Sequence, residues 1–147
     1  MANAGGFSLL ELIVVISLAS VLAAIGVLSH QAMRPSLNLN LATQQVVMDL
    51  KVARMRAVTR NRTQRVLFGS GDGTYVRQAI DGPGYTNDGA PVLLPPGIVV
   101  VDCTARDSAI AFRPRGNAVG FGTVTIRNGK GEVRRIVVDI AGQIRVE

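Results

Sequence analysis

Residues Phe7–Leu28 read FSLLELIVVISLASVLAAIGVL, and the rest of the chain is organised around this stretch. Seventeen of its 22 residues are apolar, and Glu11 is its one charge. As a helix, with about 1.5 Å of rise per residue, it would be roughly 33 Å long. That length matches a bilayer hydrocarbon core of about 30 Å, so the stretch is expected to span a membrane. Val and Ile are tolerated there because lipid forces the backbone to satisfy its own hydrogen bonds. An acid inside such a segment is costly and needs a partner. No Lys or Arg on this helix lies within reach of Glu11. The partner must be a chain terminus or a group from another subunit.

A cleaved secretory signal is the alternative, and Val21-Leu22-Ala23 resembles a small-residue cleavage site. Against it, the leader Met1–Gly6 has no Lys or Arg, the apolar run exceeds an ordinary signal core, and an acid sits near its start. The string Gly5-Gly6-Phe7-Ser8-Leu9-Leu10-Glu11-Leu12 resembles the class III signal of type IV pilins and pseudopilins. That resemblance implies cutting by a prepilin peptidase after Gly6, N-methylation of Phe7, and pairing of Glu11 with the terminal amine of a neighbouring subunit during filament assembly. It also implies a single-pass bacterial inner-membrane protein with its head in the periplasm, built into a pilus or pseudopilus.

Beyond the apolar run, Arg34-Pro35 is expected to kink or briefly break the helix, because Pro removes a donor and crowds the preceding turn. Helical periodicity resumes from Ser36 to about Arg62. Leu39, Ala42, Val46, Leu50, Ala53 and Ala57 form one apolar stripe, and Leu37, Leu41, Met48, Val52 and Met55 form a second. Two stripes imply burial on two sides, either against the chain's own domain and against neighbours, or deep within its own domain. Lys51–Arg65 carries six bases and no acid. The dipole at a helix C-terminus favours such charges, and long Arg stems cover apolar surface. The pattern Leu50-x-x-Ala53-Arg54-x-x-Ala57-x-x-Arg60-x-Arg62 also resembles the corresponding helix of GspH/FimT-type minor pseudopilins.

After Asn61 the period changes to two and glycines multiply. The expected strands are 64–68, 74–80, 97–101, 109–113, 120–127, 132–140 and 143–146. Asn128-Gly129 signals a tight hairpin. Strand 132–140 is apolar in both registers, so it is expected to be central in its sheet. Asp81–Pro96, DGPGYTNDGAPVLLPP, is expected to be a long surface loop. The chain therefore reads as α+β: a pilin-like fold whose long N-terminal helix, membrane-spanning in its first half, packs on a C-terminal antiparallel β-sheet head. The expected division is a leader 1–6, a transmembrane helix 7–28, an extramembrane helical half 29–62 and a β-rich head 63–147. Phe112-Arg113-Pro114-Arg115-Gly116 and Asp139-Ile140-Ala141-Gly142-Gln143-Ile144-Arg145-Val146 resemble the GspH/FimT group.

Little in the chain suggests catalysis. One Cys and one His exclude an internal disulfide framework, a zinc finger and haem attachment. His30 stands beside the apolar run with no second His, and Cys103 has no evident base. Gly69-Ser70-Gly71-Asp72-Gly73 lacks the Lys-Ser/Thr ending of a phosphate loop, and Asp81 and Asp88 lack the spacing of a calcium loop. No enzyme, cofactor or metal is expected. From His30 onward there are 16 bases and nine acids, a balance suited to phosphate contact. Arg127, Lys130, Arg134, Arg135 and Arg145 are the candidate DNA-binding residues. With few aromatics to stack bases, such contact would be to the backbone. The FimT branch binds DNA through a C-terminal Gly-Arg-x-Arg motif, and Gly142-Gln143-Ile144-Arg145 resembles it with Gln143 in place of the first Arg. The expected partners are other pilin or pseudopilin subunits, the prepilin peptidase, the inner membrane and, in the DNA-uptake alternative, DNA.

Overall fold

The computed structural model describes residues 8–147, with the side chains of all but 25–32. Gly6 and Phe7 lie outside the described residues. The chain divides into two compact units, 1–34 and 35–147. In the first unit, Leu9–Ala24 is helical and its side chains are exposed. Ser17 Oγ donates to the Ile13 carbonyl (2.7 Å) and Ser20 Oγ to the Ser17 carbonyl (2.8 Å), so these hydroxyls are satisfied within the helix. Among the described residues, no helix is long and apolar enough to cross a membrane. The predicted span 7–28 extends at both ends beyond the residues whose side chains are described.

Helix α1 runs Leu9–Thr59, with Pro35 inside it. The break expected at Arg34-Pro35 therefore does not end the helix. Pro removes one i to i−4 hydrogen bond, and the turns on either side keep theirs.

The second unit sets the C-terminal part of α1 on two antiparallel sheets. The strands are β1 Gln64–Phe68, β2 Thr74–Asp81, β3 Gly84–Asn87, β4 Val92–Leu93, β5 Ile98–Cys103, β6 Ala109–Phe112, β7 Gly122–Asn128, β8 Val133–Val138 and β9 Ile144–Val146. One sheet has the order β3-β2-β1-β6, with β4 also on β2, and the other has the order β5-β7-β8-β9. Every predicted strand is present to within a few residues, and β8 is central between β7 and β9, as its two apolar registers require. The expected loop 81–96 is partly wrong: β3 pairs Tyr85 with Ile80, and β4 pairs Val92 with Tyr75. All four β3 residues are exposed, so no apolar alternation marked them.

The core joins the first helical stripe to the inward residues of both sheets. Leu39, Ala42, Val46, Leu50, Ala53 and Ala57 are all buried, with Val66, Phe68, Val100, Phe112, Val124, Ile126, Ile136 and Val138. In β5 the register shifts between Val100 and Asp102. That bulge lets Val100 and Cys103, three residues apart, both face the core.

Polar clasps fasten the helix to the sheets. Asp49 accepts from the Tyr75 hydroxyl and from Arg77 Nη1 (3.0 Å). Burial first, and the bond to Asp49 second, keep the Tyr75 phenol protonated well above its usual range.

Asp88 accepts from Arg56 Nη1 (2.7 Å) and Arg60 Nη1 (3.3 Å), which ties the 81–96 segment to the last turns of α1. Burial works against charge on Asp88, but the hydrogen bond and charge of Arg56, followed by those of Arg60, outweigh it and hold the carboxyl below the usual range. A folded-state value below the unfolded one adds stability above the ordinary aspartate pKa, and that stability is lost as pH falls through the lowered value. Asp88→Asn should therefore lower stability at neutral pH and flatten the acid limb of the stability profile. Thermal melts taken from neutral pH down through the carboxylate range would check this, and a profile parallel to that of the parent chain would refute it.

Candidate functional site

The second apolar stripe of α1 is the principal surface feature of the C-terminal unit. Leu37, Leu41, Met48, Met55 and Val58 are each more than half exposed, and Val52 is half-buried. Taken with Gln44 and Lys51, which are also exposed, residues 37, 41, 44, 48, 51, 55 and 58 alternate in steps of four and three. That 3.5-residue period is the seam of a helix that packs along another helix. The sequence showed the stripe but left its cover open. The structure assigns the first stripe to the core and leaves the second uncovered. A row of exposed large apolar side chains of this kind, interrupted at Gln44 and Lys51, marks an interaction surface.

Glu11 lies in the first turn of α1 with an exposed side chain. There a carboxylate complements the positive end of the helix. Gly6 and Phe7, the expected processing positions, fall outside the described residues.

The structure divides the five candidate DNA-binding cations. Register places Arg134 opposite buried Ile126, on the core-facing side of the β5-β7-β8-β9 sheet but at its open end. Arg127, Arg135 and Arg145 pair with Val133, Thr125 and Val137, on the opposite, outer face. Lys130 sits in the β7–β8 turn. The set therefore forms no single groove. Four bases of the run Lys51–Arg65, namely Arg54, Arg56, Arg60 and Arg65, are engaged with loops or strands of the same unit. Besides the Asp88 pairs, Arg65 Nε donates to Gln78 (2.7 Å) and its guanidinium lies 3.6 Å from the centre of the Tyr85 ring.

Arg54 has a structural role that the sequence did not reveal. Its Nε donates to the Gly116 carbonyl (2.8 Å) and its Nη2 to the Ala141 carbonyl (3.4 Å), pinning two turns to the helix. Gly116 and Gly142, at positive φ in those turns, are the residues that could have signalled it. Ser36 was likewise missed. Its hydroxyl donates to both carboxylate oxygens of Glu132 (3.1 and 2.8 Å). The Asn128 side chain closes the same turn, accepting from the Lys130 and Glu132 amides and donating to Glu132. The Ser36 hydroxyl first, and the Asn128 amide second, hold the Glu132 carboxyl below its usual range.

Burial pushes the Cys103 thiol up, disfavouring the nucleophilic thiolate. Among the described residues, no group of three or more His, Cys, Asp or Glu is arranged to hold a metal ion.

Comparison with known proteins matches two family models. Residues 42–142 match the type II transport protein GspH, and residues 1–27 match the prokaryotic N-terminal methylation motif. No curated protein matches the chain. Among solved structures, the minor pseudopilin EpsH of the Vibrio cholerae type 2 secretion system superposes with a TM-score of 0.63 at 13% identity, covering 75% of this chain and 96% of its own. The type IV minor pilin FimU of Pseudomonas aeruginosa superposes at 0.59 with 17% identity, covering 74% and 92%. At these identities the likeness establishes the fold.

Proposed function

The chain belongs to the family of the type II transport protein GspH and carries the prokaryotic N-terminal methylation motif; from that premise we propose that it is a minor subunit of a type II secretion pseudopilus or a type IV pilus. The observation that carries this reading is the uncovered apolar seam of α1, which has the length and period needed to pack along neighbouring helices. In this reading a prepilin peptidase cuts after Gly6, Phe7 becomes the methylated terminus, and residues 7–28 hold the subunit in the inner membrane with its head in the periplasm. Glu11 then receives the terminal amine of the adjacent subunit. The charge that would be costly in lipid is thereby paired, and the axial register is set. The role is structural rather than catalytic.

Intact-mass analysis of the chain from membranes should find a mature terminus at Phe7 bearing one added methyl group. A terminus at Met1, or near Ala24, would refute the reading. Glu11→Ala should leave membrane insertion unchanged and block incorporation into filaments. Unchanged incorporation would refute the register role.

A further inference from the structure

The uncovered seam of α1 changes character at its C-terminal end. Its last three positions, Lys51, Met55 and Val58, form with Arg54, Arg115 and Gly116 the walls of an open groove of about 500 Å3. Met55 and Val58 give the groove an exposed apolar floor. Lys51 and Arg115 are exposed on its rim, and among the described residues their side chains have no hydrogen-bond or ion-pair partner. Arg54 adds a third positive charge, fixed by its bonds to the Gly116 and Ala141 carbonyls. No acid lines the groove. Asp139, in the turn that Arg54 clasps, accepts from the Gln143 amide (2.8 Å) and is not among its walls. Beyond Arg115 the positive charge continues: Arg113 and Arg115 together border the next hollow, again without an acid.

What covers this end of the seam must bring apolar side chains to Met55 and Val58 and negative charge to Lys51 and Arg115. A second copy of the helix does not supply the charge. Over residues 36–59 it carries Lys51, Arg54 and Arg56 and one acid, Asp49, which is already bonded to Tyr75 and Arg77. Like charges brought together across an interface disfavour that pairing. A phosphate backbone supplies the charge but no apolar surface for the floor. We propose that the groove docks the helix of a different subunit, one with apolar residues at 3.5-residue spacing and a pair of carboxylates that meet Lys51 and Arg115. The inference rests on the filament-subunit reading above and names the kind of neighbour that the seam takes. The apolar row supplies the buried area, and the charge pairs select the partner and its register.

A photo-cross-linking p-benzoylphenylalanine in place of Thr59 tests this. Thr59 lines the groove, and its hydroxyl bonds only within its own helix. The full chain, purified in a neutral detergent, is offered three synthetic helical peptides: one with Leu at 3.5-residue spacing flanked by Glu, the same sequence with Gln for every Glu, and residues 36–59 of this chain. The Glu peptide should be labelled about ten-fold more efficiently than the Gln peptide, and the difference should vanish at high salt. Lys51→Gln and Arg115→Gln should each weaken its labelling by about three-fold, whereas Arg127→Gln, on the outer sheet face, should leave it unchanged. Equal labelling of the Glu and Gln peptides would overturn the proposal. Stronger labelling of the 36–59 peptide would overturn it in favour of a second copy, and labelling of duplex DNA in place of the Glu peptide would overturn it in favour of nucleic acid. Any of these results in a chain that still enters filaments leaves the filament reading standing. A chain that never enters filaments would overturn that reading, and this inference with it.

Discussion

Val46→Asp is expected to unfold the C-terminal unit, whereas Met48→Asp, two residues along the same helix, should leave it folded and abolish filament incorporation. Val46 is 0% exposed and Met48 is 61% exposed. At Val46 the new carboxylate would be surrounded by the buried aliphatic core, with no partner. An unpaired buried charge of that kind costs upwards of about 4–5 kcal/mol, comparable to the 5–15 kcal/mol that holds a typical domain together. At Met48 the carboxylate stays in water, and surface changes of this kind move stability by about 0.5 kcal/mol or less. Its effect appears only when another helix packs on the seam and must desolvate it. Denaturation of the 35–147 segment, run beside a filament-incorporation assay, separates the two. Loss of folding in Met48→Asp would show the seam to be internal, and normal incorporation of that variant would show it to be unused.

Gly142→Ala should destabilise the same unit by about 2–5 kcal/mol, from two sources. Gly142 has φ of +78°, where an L side chain is strained, at a cost of about 1–2 kcal/mol. An added Cβ would also overlap the Gly116 carbonyl oxygen and lie 3.2 Å from Arg54 Nε. The first of these is backbone, and the second is the atom that clasps the two turns. Neither can move without breaking the clasp, so an overpacking cost of about 1–3 kcal/mol is added. Gly131→Ala is the control: its φ is +86°, but nothing lies within 4 Å of the added carbon. It should cost about 1–2 kcal/mol from conformation alone. Equal midpoints for the two variants in urea would show that the close approach to Gly116 contributes nothing.

Where an element's own residues report its environment, the sequence was enough. The two apolar stripes of α1, the alternation of β1 and the two-register apolar pattern of β8 are all statements about faces, and side-chain period records faces directly. β3 and β4 escaped because Gly84–Asn87 is exposed throughout and is held by backbone bonds to β2, which leave no trace in composition. The run Lys51–Arg65 looked like a solvated or dipole-favoured cluster. Its specific partners, Asp88 and the Gly116 carbonyl, stand 28 to 62 residues away in the chain. Such pairings depend on which loops the fold brings back to the helix.

The sequence by itself determined that a long helix carries two apolar stripes beyond a 22-residue apolar run with one acid, and that an antiparallel β region follows. Only the tertiary structure decided which stripe is core and which is uncovered, that Pro35 does not end the helix, and that the five C-terminal cations are divided among the two sheet faces and a turn. The reason is that the hydrophobic effect is non-directional: it requires an apolar face to leave water without saying what will cover it. The cover is chosen by the sheets, whose inward residues reach one stripe of α1 and leave the other for a neighbour.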